Sequence, residues 1–315
     1  MLISIAIPCY RSEKNLKFVV DEIREEFKSH PEHDYQIILV CDGSPDHTDA
    51  VIRELCAEDQ KVIGVLLSRN YTQSNAKMAA LPYVDGEVLV YMDDDGQHPP
   101  KDIFTLADKV LEGNDLVYAS FREKEQSLFK IWTSDMFGYL MVKMGKRPKG
   151  IKVSSFMAYS RFVVDQLKNY TSPTPSEAGY IYSITTKIAN IESQQRKRKS
   201  GRSGYSLSKL INLAVTSLTN FTIVPLRMIN KIGIFTAIIG MIYGIMLVIR
   251  KLLFRISVPG YTSNMVALLI LGGLILMALG IVGEYVGRVY ILLSNKPQYV
   301  VREAINAKDR QDEKQ

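Results

Sequence analysis

Over its first 120 residues the chain switches back and forth between two apolar spacings. LISIAIP (2–8), YQIILVC (35–41), KVIGVLL (61–67), EVLVYM (87–92) and DLVYAS (115–120) are short apolar runs with strand character. Between them, residues 16–27, 46–56, 73–81 and 102–111 carry apolar side chains at helical spacing, and Ser12 stands where it would cap the first helix. Near-continuous runs such as YQIILVC belong to strands buried on both faces. This alternation specifies an α/β domain with a mostly parallel sheet and helices on both faces. Ligands of such sheets bind beyond the carboxyl ends of the strands. The polar clusters fall at that edge, after Pro8, Val40, Leu67, Met92 and Ser120. Scattered surface polarity would not line up there.

Beyond residue 121 the alternation stops. The spacing predicts a helix over 127–144, a strand over 151–159, helices over 161–169 and 177–188 either side of the turn SPTP, and a last strand over 191–196. No residue is charged from Ile232 to Ile249 or from Ser257 to Gly283. Either stretch could cross a hydrocarbon core of about 30 Å as a helix. The N-terminal MLISIAIPCYRSE is too short an apolar run, with no basic lead, for a signal peptide. The expected organisation is therefore a soluble domain over 1–205 and amphipathic interfacial helices over 206–230, kinked at Pro225. Transmembrane helices over 231–254 and 262–292 follow, then a charged tail over 293–315, disordered from Ala304 onward. Two spans place both termini on one side. Glu284 and Arg288, four apart in the second span, could pair. Much of the net charge of +6 lies in QQRKRKSGR (194–202), just before the apolar runs, which suits lipid headgroups or another phosphate partner. No stacking motif or recognition-helix pattern accompanies it, so nucleic acid is set aside. Cys9, Cys41 and Cys56 lack metal-ligand spacing and read as buried free thiols.

The run VLVYMDDDGQHPP (88–100) carries the chemistry. Crowded carboxylates raise one another's pKa unless a cation neutralises them. A hard divalent cation accepts carboxylate oxygens and keeps substrate phosphates among its ligands. Asp93 and Asp95 alternate along an extended chain, so they share a face with Gln97, and Asp94 points away. His98 is set aside as a loop residue, because imidazole suits softer metals. No G-x-G-x-x-G follows the first strand and no G-x-x-x-x-G-K-[ST] occurs, so dinucleotide-dehydrogenase and phosphate-loop readings lose their main support.

IPCYRSEKNL (7–16), VCDGSPDHT (40–48), LSRNYTQSNAKMAAL (67–81) and MDDDGQHPP (92–100), in this order, resemble the family 2 glycosyltransferases of the GT-A fold. RKSGRSGYSLSKL (198–210), VPGYTS (258–263) and GIVGEYVGRVY (280–290) narrow the resemblance to polyprenyl-phosphate glycosyltransferases, the group of bactoprenol glucosyltransferase, similar to dolichyl-phosphate mannose synthase. The resemblance implies inverting transfer of a sugar from a UDP-sugar to undecaprenyl phosphate. It also implies a two-pass protein of the plasma membrane with its catalytic domain and both termini cytoplasmic, and a homo-oligomer, a tetramer among the forms it allows. Pro8, Tyr10, Asp42, Asp93, Asp94 and Arg69 would bind the nucleotide; Asp93, Asp95 and Gln97 would hold Mg²⁺ or Mn²⁺. Arg122, Arg198 and Arg202 would meet the acceptor phosphate, and Asp95, Arg122, Arg198 and Ser155 would carry catalysis, Ser155 by contacting the sugar.

The sequence departs from the family pattern in several places. P-x-Y-N-E becomes Pro8-Cys9-Tyr10-Arg11-Ser12, the first Asp of D-D-G-S is Cys41, G-D-F-R becomes Ser154-Ser155-Phe156-Met157, and the Lys of R-S-K-Y-S is Gly204. These changes leave open the sugar and the use of a base. A transferase with a saccharide acceptor and a non-catalytic membrane-bound nucleotide-sugar sensor or scaffold are the competing readings.

Overall fold

Each strand in the computed structural model sends alternate side chains into two apolar layers, and this alternation fixes the architecture. In β1 (Leu2–Cys9), Ile3, Ile5, Ile7 and Cys9 enter one layer and Ala6 the other. In β2 (Asp34–Cys41), Ile37, Leu39 and Cys41 oppose Ile38 and Val40 in the same way. β3 (Val62–Leu67), β4 (Val88–Tyr91), β5 (Leu116–Phe121) and the short β6 (Met157–Ser160) repeat the pattern. A strand buried on both faces needs a helical layer on each. The helices are α1 (Leu16–Lys28), α2 (Thr48–Glu58), α3 (Gln73–Ala80), α4 (Asp102–Leu111), α5 (Arg161–Lys168) and α6 (Glu177–Ile184). α1, α2 and α4 cover the first face; α3, α5 and α6 cover the second. The structure describes residues 1–121, 150–194, 196, 260–294 and 296–307, with isolated positions between 231 and 253. The expected helices over 127–144 and 206–230 lie outside them.

With β7 (Ile188–Ser193) and β8 (Val301–Ile305), the sheet has eight strands in the order β7-β5-β6-β4-β1-β2-β3-β8. β1 runs parallel to β2 and β4, β2 to β3, and β5 to β7. β6 is antiparallel to β4 and β5, and β8 to β3. This mixed, mostly parallel sheet with helices on both faces is the expected GT-A arrangement. It brings the carboxyl ends of β1–β5 and β7, together with the start of β6, to one edge.

Several boundaries differ from the sequence expectation. Ser12 does not cap α1: its hydroxyl bonds Asp94, and its carbonyl accepts the Asn15 and Leu16 N–H groups at 3.0 Å. α2 begins at Thr48, because Asp46 turns its carboxylate onto the Thr48 N–H (3.3 Å) and hydroxyl (2.6 Å). The strand expected over 151–159 starts only at Met157. The expected helix over 177–188 ends at Ile184, and 188–193 pairs with β5 instead. The largest difference is the tail. Ala304 and Ile305, expected to begin a disordered tail, instead complete the edge strand 301–305, which pairs with β3. All three cysteines are free and buried, as expected.

Behind the sheet Glu177 is only 9% exposed; it accepts a hydrogen bond from the Tyr159 hydroxyl at 3.0 Å and faces Lys77 Nζ at 4.0 Å. Burial raises its pKa, against the opposing pull of Lys77 and the Tyr159 bond. The folded chain therefore keeps this proton where the unfolded chain has released it, so stability falls as pH rises above the ordinary glutamate range. Glu177→Gln removes that ionisation. Its unfolding free energy should decline less steeply than the parent's as pH rises above the ordinary glutamate range, as read by denaturant titration.

A second compact unit, Gly204–Asn295, contains α7 (Tyr261–Leu293), whose 33 residues span about 50 Å at 1.5 Å per residue. Leu271–Leu293 is long and apolar enough to cross a membrane, and it is the one such helix among the described residues. Most of its described apolar side chains are exposed, Leu276 at 71%. The Arg288 side chain lies outside the described residues.

Candidate active site

β4 ends at Tyr91, so the carboxylates sit on a turn rather than on a continuing strand. This corrects the expected alternation, and each acid has its own surroundings. Asp93 accepts hydrogen bonds from the Ser155 hydroxyl (2.6 Å) at one oxygen and from Gln73 Nε2 (3.0 Å) at the other. Asp94 turns to the β1–α1 loop and accepts from the Ser12 hydroxyl and from the Tyr10 N–H at 3.3 Å. Burial lifts its pKa to about 6; the Ser12 and Tyr10 bonds oppose the shift and the neighbouring Asp93 and Asp95 charges add to it. Asp95 accepts the Gln97 N–H at 3.1 Å. Gln97 and Arg196 form a bridge: the Arg196 N–H donates to the Gln97 carbonyl (3.0 Å), and Gln97 Nε2 donates to the Arg196 carbonyl (3.3 Å). This ties the chain after β7 to the carboxylate turn and leaves Gln97 its amide oxygen as a donor to a cation.

His98, set aside on sequence, organises the turn. It is 2% exposed and stacks on Phe156 (4.7 Å between centroids) and Phe121 (5.7 Å). Its Nδ1 accepts the Asp93 N–H at 3.0 Å, which puts the ring proton on Nε2, 3.5 Å from the Ser155 hydroxyl and 3.6 Å from Asp93. Burial holds its pKa below the usual range, so the ring is neutral. His98→Phe keeps a stacking ring and leaves the Asp93 N–H without its acceptor. We expect a loss of about 1–3 kcal/mol in denaturant unfolding, with weaker nucleotide binding.

The nucleotide side is built from three loops. Tyr10 is 44% exposed at the end of β1, with the Arg11 guanidinium 5.6 Å from its ring centroid. Pro8 is buried in β1 beyond the point where the β1–β4 ladder ends at Ala6, where a missing N–H breaks no bond. Asp42 is 4% exposed, and its two oxygens accept the Tyr71 N–H (2.6 Å) and the Thr72 N–H (3.0 Å). Burial raises its pKa and these two bonds oppose the shift. Asp42 thus fixes the β3–α3 loop, in which the Arg69 guanidinium lies 4.5 Å over the Tyr71 ring. Arg122, Arg198 and Arg202 lie outside the described residues.

The donor set fits a hard divalent cation. Asp93 and Asp95 offer carboxylate oxygens on one turn, and each Asp93 oxygen keeps a lone pair beyond the hydrogen bond it accepts. Among the described residues no three acidic, His or Cys side chains converge, so the remaining ligands would come from substrate and water. Gln73 and Thr72, whose φ is 92°, were not singled out from sequence, and His98 was set aside. Their contacts depend on α3 and the β6 start reaching the same turn, which no local pattern announces.

Comparison with known proteins agrees with this geometry. Residues 4–168 match the glycosyl transferase family 2 model, and residues 224–289 match a model described as the GtrB C-terminal hairpin. The Bacillus subtilis (strain 168) protein CsbB is 33% identical over 303 residues, covering 96% of this chain and 92% of that one. The SfII prophage-derived bactoprenol glucosyl transferase of Shigella flexneri is 30% identical, covering 96% and 98%. The undecaprenyl-phosphate 4-deoxy-4-formamido-L-arabinose transferase of Proteus mirabilis (strain HI4320) is 30% identical, covering 97% and 94%. With the carboxylate turn at the ligand edge of a mixed sheet and this match over nearly its whole length, the chain belongs to glycosyl transferase family 2.

Proposed function

We propose that the chain transfers a sugar from a UDP-sugar to a polyprenyl phosphate, undecaprenyl phosphate in a bacterial membrane, with inversion at the anomeric carbon. The observation that carries the donor half is the Asp93–Gln97 turn, braced by Gln73, Ser155 and His98 at the ligand edge. The acceptor half rests on relatives named for bactoprenol and undecaprenyl phosphate that align along nearly the whole chain. Mg²⁺ or Mn²⁺ held by Asp93 and Asp95, with the Gln97 amide oxygen, would supply charge neutralisation for the leaving diphosphate.

The chain's own residues do the positioning. Tyr10, Pro8, Arg69 and the loop fixed by Asp42 line the base and ribose side, and Asp94 keeps the β1–α1 loop against the turn. Arg122, Arg198 and Arg202 would hold the acceptor phosphate through paired N–H donors. A phosphate oxygen forms the new bond to the anomeric carbon as the bond to the UDP oxygen breaks on the opposite face. A phosphate monoester is already largely anionic near pH 7, its second pKa being about 6, so no base is required. Ser155, where the family pattern has an acid, then bonds Asp93 and can meet the sugar without taking a proton.

β8 supports a two-pass arrangement. It lies in the same sheet as β1, so the chain that leaves after β7 must return to the same side, which requires an even number of crossings. We assign the spans to 231–254 and 262–292, with the catalytic domain and both termini on the cytoplasmic side where UDP-sugars are made. Homo-oligomers remain part of this proposal.

The test supplies radiolabelled UDP-sugars, Mn²⁺ and undecaprenyl phosphate to the purified chain. Label entering the organic phase is the expected result. UDP binding with no transfer from any donor would favour a nucleotide-sugar sensor, and label in a water-soluble glycan would favour a saccharide acceptor.

A further inference from the structure

The segment after α7 does more than add an edge strand. The Val300 carbonyl accepts the Ser68 N–H at 2.9 Å, β8 pairs with β3, and Asn306 Nδ2 donates to the Cys56 carbonyl (2.7 Å) and the Val62 carbonyl (2.9 Å). Ahead of the strand, Gln298 Nε2 donates to the Tyr170 carbonyl (3.3 Å) and the Ser172 carbonyl (2.9 Å). The Gln298 carbonyl accepts Asn75 Nδ2.

Asn75 is the link to the site. It is 5% exposed, and its amide nitrogen also donates to the Pro173 carbonyl at 3.2 Å, while its Oδ1 accepts the Thr72 hydroxyl at 3.2 Å. Thr72 has φ 92°, a region a β-branched residue enters only when its surroundings force it. The next residue, Gln73, donates to Asp93. The contacts therefore run from the returning chain through Asn75 to the strained Thr72, and from there to the carboxylate turn.

We propose that residues 296–307 act as a strap, and that Gln298 and Asn75 are positioning residues. They hold the β3–α3 loop in the conformation that presents Gln73 to Asp93 and the loop backbone to the nucleotide. The effect on nucleotide binding rests on the reading of this edge as the UDP site; the effect on the loop does not.

The test uses the full chain in detergent, with UDP and Mn²⁺ as the probe, and two variants. Gln298→Ala, at a half-buried position, removes the side-chain clamp. Asn75→Asp keeps the acceptor for Thr72 and turns an oxygen toward the Gln298 and Pro173 carbonyls. Both should raise the Kd for UDP about fivefold or more. Both should also speed amide hydrogen exchange at residues 70–75, and Gln298→Ala should leave the thermal midpoint within about 2 °C of the parent. Folded Gln298→Ala with a parental Kd and parental exchange at 70–75 would overturn the strap. If the parent itself binds no UDP, the donor reading fails, and the strap is still decided by the exchange rates.

Discussion

Asp95→Asn should lose at least about a hundredfold in transfer rate while unfolding at nearly the parental denaturant concentration. The substitution keeps an oxygen for the Gln97 N–H, which Asp95 accepts at 3.1 Å, and removes the negative charge. Asp93→Asn should be worse for the fold, because Asp93 accepts from both Ser155 and Gln73. An amide nitrogen in place of one oxygen faces a donor, so about 1–3 kcal/mol of stability should go with the activity. The two acids are thereby separable. Loss of activity without loss of stability at Asp95, and loss of both at Asp93, is the pattern expected if both hold the cation and Asp93 also braces the turn through Ser155 and Gln73. Parallel transfer assays and denaturant titrations read it.

Gly43→Ala should be among the most disruptive single-methyl changes in the domain. Gly43 has φ +57°, and a Cβ there would lie 2.2 Å from the Arg69 carbonyl carbon and 2.4 Å from the Asn70 nitrogen. Both neighbours are backbone, so no side chain can swing aside. Moving that peptide pulls the Tyr71 and Thr72 N–H groups off the Asp42 carboxylate. Strain and displaced bonds together should cost about 3–5 kcal/mol, with a matching loss of UDP affinity. Calorimetric titration of the folded fraction separates the two effects.

The parallel core and the edge on which ligands gather were legible because continuous apolar runs alternate with helical spacing, a signal that rests on burial alone. Asp93–Asp95 stood out for the same reason, as charge at the end of a buried strand. The division of labour within that cluster was not legible. β4 stops at Tyr91, and period-two alternation does not survive the turn that follows. His98 carries no local signal of its role because its partners, Phe121 at the end of β5 and Phe156 just ahead of β6, come from farther along the chain. The charged stretch from Ala304 onward hides the end of a strand: Ala304 and Ile305 close the edge strand β8, whose Glu303 pairs with Arg53 at 2.6 Å, a partner some 250 residues away in the chain. The bond from the Ser155 hydroxyl to Asp93 has no local signal, because it arises only when the antiparallel β6 begins at the ligand edge.

The central claim is that the turn after β4 is a cation-dependent site for a nucleoside diphosphate. Titrating UDP into the intact chain by calorimetry, with Mn²⁺ and then with excess EDTA, tests it most directly. The account predicts saturable binding in Mn²⁺ that weakens at least about tenfold on chelation and equally in Asp95→Asn. UDP affinity unchanged by chelation, or parental in Asp95→Asn, would contradict it.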